Sequence, residues 1–356
     1  MTEITHLICE YRSNPLGIDV TAPRFGWQMH TDRQGARQTA YRVLAASTTE
    51  QLRLGSGDLW DSGKVESDQS VHVVYQGQPL DSRQRVCWSV TVWDETGAAI
   101  LSEVAWFELG LLNRTDWQAE WIGAGLSGGP RSTVPAPYLR KSFTVPGEVL
   151  SARLYVTALG LYECSINGQP VGDDVFNPGW TDYHKRVQYK VYDVSEQVLQ
   201  GENVIGAVLG DGWAAGHIGW THRQQYADRP LLLAQLEVTL IDGSRVTFAT
   251  DESWKHAFSP ILHNDLIMGE AYDARRELAG WDTVHVDDSR WSGVEVFPDP
   301  GMAIVATNGP VVRRADELRP IADPRNRSSF DRHRWVFDLG QNMVGRVRFK
   351  GTAPAG

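Results

Sequence analysis

Residues 152–171, ARLYVTALGLYECSINGQPV, decide the fold. Leu154, Val156 and Ala158 alternate with polar neighbours, and Tyr162, Cys164 and Ile166 repeat the pattern. Alternation sends successive side chains to opposite faces of a strand. Asn167-Gly168 comes next, and this pair readily adopts the left-handed angles of a tight hairpin turn. The stretch therefore predicts antiparallel strands with one face in a core.

The same period runs outward in both directions. Downstream, RVQYKVYDV (186–194) places Val187, Tyr189 and Val191 on one face. NVIGAVLG (203–210) is continuously apolar and reads as a strand buried on both faces. LAQLEVTLIDGSRVTFAT (233–250) reads as two strands joined at Asp242-Gly243. Only VSEQVLQGEN (194–203) could hold a short helix, with Ser195 as its N-cap. Upstream, YRVLAAS (41–47), VCWSVTVWD (86–94) and VAWFELGLL (104–112) are strands, with Val86, Trp88, Val90 and Val92 sharing a face and a turn at Glu95-Thr96-Gly97.

These segments divide the chain into domains. Residues 1–112 carry several strands over about 110 residues, as a sandwich of immunoglobulin or fibronectin type does. No second cysteine follows Cys87-Trp88 in the antibody manner, which favours the fibronectin type III-like form. Asn113 to Trp117 is a linker, and GAGLSGGPRSTVPAP (123–137) a surface loop. Residues 117–300 form a larger sandwich of jelly-roll, galactose-binding-like kind. From 301 to 356 the strand-like VVRRADELRPI (311–321) and WVFDLGQNMVGRVRFKG (335–351) are too few to bury a core alone. The last segment is expected to begin a third β-domain. The fold class is all-β, in tandem sandwiches.

Composition narrows the function. A net charge of −10 argues against nucleic acid or an anionic membrane as partner. No apolar run approaches a membrane span, and no leader pattern opens the sequence. Three cysteines, Cys9, Cys87 and Cys164, are odd in number and widely spaced, which suits buried free thiols in a cytoplasmic protein. The 14 tryptophans suit either sugar stacking or large sandwich cores. Nucleophile-elbow, Walker, HExxH and dinucleotide-binding patterns are all missing from the sequence.

Chemistry-bearing residues gather between strands. The segments are Gly172-Asp173-Asp174, Asn177 to Asp182, Asp211 to His217, and Met268 to Arg275. Each combines oxygen donors with glycine, and the last three add an aromatic ring, as a sugar site or a hard-cation site requires. The competing reading is that Trp180, Trp213 and Trp220 plug the sandwich ends. Asp182 and His184 are read as holding their loop.

NGQPVGDDVFNPGWTDYHKRVQYKVYDV (167–194), LGDGWAAGHIGW (209–220) and NDLIMGEAYDARRELAGWD (264–282) together resemble the N-terminal module of bacterial α-L-rhamnosidases. YRSNPLGIDVTAPRFGWQM (11–29) resembles the fibronectin-like domain that precedes it, and WVFDLGQNMVGRVRF (335–349) the start of the β-domain that follows. The resemblance implies an inverting glycosidase whose acid and base lie in a C-terminal (α/α)₆ barrel, so no catalytic residue is expected in 1–356. It also implies a rhamnosyl glycoside as ligand, with Asp173, Asp174, Trp180, Trp213, Glu270, Tyr272 and Arg275 as candidate binding residues. Related modules bind rhamnose with calcium through an Asp-Asn pair; Asp173-Asp174 keeps the first residue and changes the second. Calcium on Asp173 and Asp174 is the cofactor expected, and the chain's own barrel the partner. The alternative is a purely structural scaffold without a sugar site.

Overall fold

A computed structural model describes residues 2–327, 334–348 and 350. The chain divides into two units, residues 1–311 and 312–356.

Within the first unit, alternation builds an N-terminal sandwich. One sheet orders Leu16–Ile18, Ala105–Leu109, Arg85–Asp94, Gln38–Ala46 and Trp60–Asp61, with Ala99–Leu101 also paired to Arg85–Asp94. The facing sheet holds Glu3–Cys9, Arg24–His30 and Val73–Val74. Val86, Trp88, Val90 and Val92 are all fully buried between them, and Phe25 lies 4.5 Å from Trp88. The predicted turn at Glu95-Thr96-Gly97 is closed by Asp94. Its Oδ1 accepts the Thr96 hydroxyl and the Thr96 and Ala98 N–H groups, and these bonds hold the carboxyl down at about 2. Cys87 faces away from this core, under the short helix Thr49–Arg53, in a small cluster with Leu44, Ala46 and Leu52. All three cysteines are free and buried.

The second sandwich is larger. Its seven-stranded sheet runs Glu295–Phe297, Trp121–Gly123, Leu231–Leu240, Val149–Leu159, Arg186–Asp193 and Ala303–Ala306, with Arg245–Ala249 branching from Leu231–Leu240. The six-stranded sheet runs Gln169–Pro170, Leu161–Ile166, Gly201–Gly210, Pro137–Val145, Lys255–Phe258 and Ser292–Gly293. Leu154, Val156, Ala158, Cys164, Ile166, Leu232, Ala234 and Leu236 fill the space between them. Asn167 and Gly168 both take positive φ, as the hairpin required.

The outer face of the seven-stranded sheet is buried too. Tyr155, Val187, Tyr189, Leu231 and Leu233 form a second core with Leu111 and Trp117 of the linker. The Tyr189 hydroxyl accepts the Leu111 N–H at 2.8 Å and donates to the Leu111 carbonyl at 3.2 Å. Gly110 is required here, because a Cβ would overlap the Tyr189 hydroxyl. Charged groups close the same seam. Arg83 donates from Nε and Nη2 to Glu237 at 2.7 Å each and from Nη1 to Asp116 at 3.2 Å. Arg153 donates to Glu108 at 2.8 Å. Arg83 has φ +70°, a left-handed conformation that costs a non-glycine residue roughly 1–2 kcal/mol. Its guanidinium contacts hold it there.

Three expectations change. Residues 194–200 make a turn and no helix, because the Ser195 hydroxyl accepts the Ala152 N–H and donates to Asp193 instead of capping. Ala303–Ala306, assigned by sequence to the last segment, pairs in parallel with Arg186–Asp193, and Asp19 accepts the Ala306 N–H at 2.7 Å. Residues 311–321 form no strand. In the second unit, Arg325–Asn326 pairs with Trp335–Val336, and the Ile321 N–H donates to the Asp338 carbonyl at 2.8 Å. Part of the expected third domain, 328–333, 349 and 351–356, lies outside the described residues.

Glu237→Ala leaves the half-buried Arg83 with only Asp116. The expected cost is about 3–5 kcal/mol, the range for breaking one side of a buried pair. Urea unfolding of the variant beside the native chain measures it.

Candidate functional site

The candidate residues fall into two neighbourhoods of the second sandwich. The first is its edge. After the hairpin at Asn167-Gly168 the chain returns alongside Leu161–Ile166, the Val171 N–H reaching the Cys164 carbonyl and the Tyr162 N–H reaching the Asn177 carbonyl at 3.1 Å. Asp173 is exposed on this return. Asp174 turns inward, where its Oδ2 takes the Lys190 ammonium and, at 3.1 Å, the Tyr192 hydroxyl. Burial pushes the Tyr192 hydroxyl far above its ordinary pKa, so it remains a donor. Calcium gathers six to eight oxygens, several of them from carboxylates. At Asp174 a lysine already provides the positive charge, so the groups present do not fit a divalent ion on that carboxylate.

The second neighbourhood is the sandwich end. Trp180 is 55% exposed, and its ring lies parallel to that of Trp213, 6.5 Å between centroids and 6° between planes. Trp213 sits in the helical turn Gly212–Ala215. The loop carrying Trp180 is held by the Tyr183 hydroxyl, which donates to the Gly179 carbonyl at 2.8 Å, and by Asp182, which accepts the His184 N–H at 3.2 Å. Trp220 is fully exposed on the loop beyond.

Glu270, Tyr272 and Arg275 belong to the hairpin of Ile261–Asp265 and Gly269–Tyr272 and the turn after it. All three are exposed. Arg275 donates to Asp273 at 2.8 and 2.9 Å, and these bonds lower the Asp273 carboxyl to about 2. Arg275 thus stabilises its own turn. The hairpin base is tied to the Trp213 turn: Asn264 accepts the Asp211 N–H at 2.8 Å, and Asp265 accepts the His217 N–H and contacts its Nδ1, both at 2.9 Å. Asp211 is paired in turn with buried Arg223. The structure therefore brings Trp180 to Trp213, and hangs the Glu270–Tyr272–Arg275 hairpin from the same turn. Asp174 serves the edge.

Sequence reading missed Lys190, Tyr192, Arg223 and the Asp265–His217 contact. Lys190 gave no signal: on the strand face opposite Val187 and Tyr189 a lysine reads as solvent-facing, and only the register beside Val156 shows that this face is buried. Arg223 offered none, since its partner Asp211 is a loop residue whose inward turn no period encodes.

Burial opposes ionisation at Asp265, but the N–H groups of His217 and Met268, the His217 side chain and the Ile267 N–H outweigh it and lower its pKa. A lowered carboxyl pKa contributes stability above the unfolded value, about 3.9, and loses it as pH falls through the folded value. Asp265→Asn is therefore expected to lower the melting temperature at pH 7, with the difference closing in acid below pH 4. Thermal melts across that range check it.

Two protein families match the chain: the α-L-rhamnosidase N-terminal domain over residues 147–316, and the Rha78A-like N-terminal immunoglobulin domain over residues 4–113. An α-L-rhamnosidase of Formosa agariphila is 38% identical over 362 residues, covering 97% of this chain and 38% of the relative. One from an Alteromonas strain is 37% identical, covering 93% and 37%. Among solved structures, the Dictyoglumus thermophilum α-L-rhamnosidase superposes with a TM-score of 0.87 at 36% identity, covering 96% of this chain and 38% of that one. The Streptomyces avermitilis enzyme complexed with L-rhamnose gives 0.86 at 29% identity, covering 90% and 47%. The chain spans less than half the length of each of these relatives. With an immunoglobulin-like sandwich leading into the matched β-domain, this chain has the make-up of the N-terminal region of an α-L-rhamnosidase.

Proposed function

We propose that the chain serves an enzyme that releases terminal α-L-rhamnose from glycosides, and that Trp180 and Trp213 form a platform for a rhamnosyl sugar. Hydrolysis is assigned to the portion of the relatives that this chain does not span. The observation that carries the binding reading is the half-exposed Trp180 ring lying parallel to Trp213. A flat ring in such a place suits the apolar face of a deoxy sugar, and loops on a rigid sandwich are where such sites sit. The relative solved with L-rhamnose supports the choice of ligand.

Isothermal titration of the chain with L-rhamnose is expected to give saturable heat. Trp180→Ala is expected to lower affinity tenfold or more, about 1.4 kcal/mol, while the melting temperature stays unchanged because the ring is half exposed. No heat from the native chain would remove the sugar reading. A scaffold role would remain, favoured by the seam of Arg83, Glu237, Asp116, Arg153 and Glu108. The chain alone is expected to release no p-nitrophenol from p-nitrophenyl α-L-rhamnoside, and turnover would refute the non-catalytic assignment.

A further inference from the structure

Lys190 occupies a position where a lysine is costly. Val187 and Tyr189 of its strand enter the linker-side core, so Gln188, Lys190 and Tyr192 face the other way. In the register Lys190 pairs with Val156 and Tyr192 with Leu154, two residues of the core between the sheets. The Lys190 side chain is 9% exposed and that of Asp174 5%. An ammonium so buried is tolerated only with a counter-charge. Asp174 supplies it, and the Tyr192 hydroxyl donates to the same oxygen at 3.1 Å. The backbone is shaped to allow this. Gly172 has φ +73°, and a Cβ there would come within 2.6 Å of the Tyr192 ring and 2.8 Å of Asp174 Oδ1. The Asn177 side-chain amide donates to the Asp174 carbonyl at 3.3 Å and fixes the far side of the turn.

We propose that Lys190 is a built-in cation: its ammonium organises the turn from Gly172 to Asn177 as a divalent ion otherwise would, so the turn forms without metal. Divalent cations compete poorly there, since binding one would force Lys190 to leave a buried carboxylate. Removing the amine leaves the buried Asp174 carboxylate without its counter-charge, and a carboxylate so placed draws a hard cation. One substitution should therefore convert a calcium-indifferent turn into a calcium-responsive one.

The experiment melts the 356-residue chain in excess EDTA and in millimolar calcium chloride. The native chain is expected to melt at the same temperature in both. Lys190→Met is expected to melt lower in EDTA and to recover part of the loss with calcium. Lys190→Arg, which keeps the charge, should stay calcium-indifferent. A calcium-induced rise in the native melting temperature that Asp174→Asn abolishes would overturn the proposal, as would Lys190→Met melting like the native chain in EDTA. A rise that survives in Asp174→Asn places the ion elsewhere and leaves the proposal standing. Should Lys190→Met fail to fold in either buffer, calcium titration of the native chain decides alone: saturable heat abolished by Asp174→Asn overturns, and its absence supports. None of these readouts involves sugar, so failure of the rhamnose reading leaves them intact.

Discussion

The seven-stranded sheet of the second sandwich cannot leave its outer face in water. Leu231, Leu233, Tyr155, Val187 and Tyr189 point there, away from the core that the two sheets share. Apolar burial is worth about 25 cal/mol per Å², and several large side chains are involved. Something must cover them, and the cover is the linker, through Leu111 and Trp117, braced by the N-terminal sandwich. The polar residues on that face are matched to the cover as well. Gln235 is fully buried, accepting the Gln118 N–H at 2.6 Å and donating to the Asp116 carbonyl at 3.0 Å. Glu237 and Arg153 meet Arg83 and Glu108. The linker between the sandwiches is thus a packed element and not a tether.

That arrangement frees the rest of the second sandwich to carry sites. With the outer face committed, the candidate residues lie at one edge and one end. The edge is closed by an internal ion pair, Lys190 with Asp174, which commits the inward-turned carboxylate of the Asp173-Asp174 pair of residues. The end presents Trp180 and Trp213 on a turn fixed by Asp211–Arg223 and by the Asp265–His217 contact beneath the hairpin. A binding surface needs such support, because side chains held by their neighbours lose less entropy when a ligand arrives.

Much of this was legible in the residues. Two-residue alternation found the strands around Trp88, Val156 and Val187, and Asn167-Gly168 and Asp242-Gly243 announced hairpins that the structure contains. Periodicity says which residues share a face, and nothing about what the face meets. Val156 and Val187 alternate alike, yet one enters the core between the sheets and the other the seam with the linker. The parallel pairing of Ala303–Ala306 joins residues more than a hundred positions apart in sequence, and no local pattern encodes it. The candidate site follows the same rule. Trp180 and Trp213 stood out as ring-bearing loop residues, but the inward turn of Asp174 depends on Lys190, sixteen positions away on another strand.

Native-state hydrogen exchange tests most directly whether the two sandwiches are one body. Amides of Arg85–Asp94 and of Leu231–Leu240 should open with the same free energy in the native chain. In Glu237→Ala, protection of both strands should fall together. Loss confined to Leu231–Leu240, with Arg85–Asp94 unchanged, would contradict it.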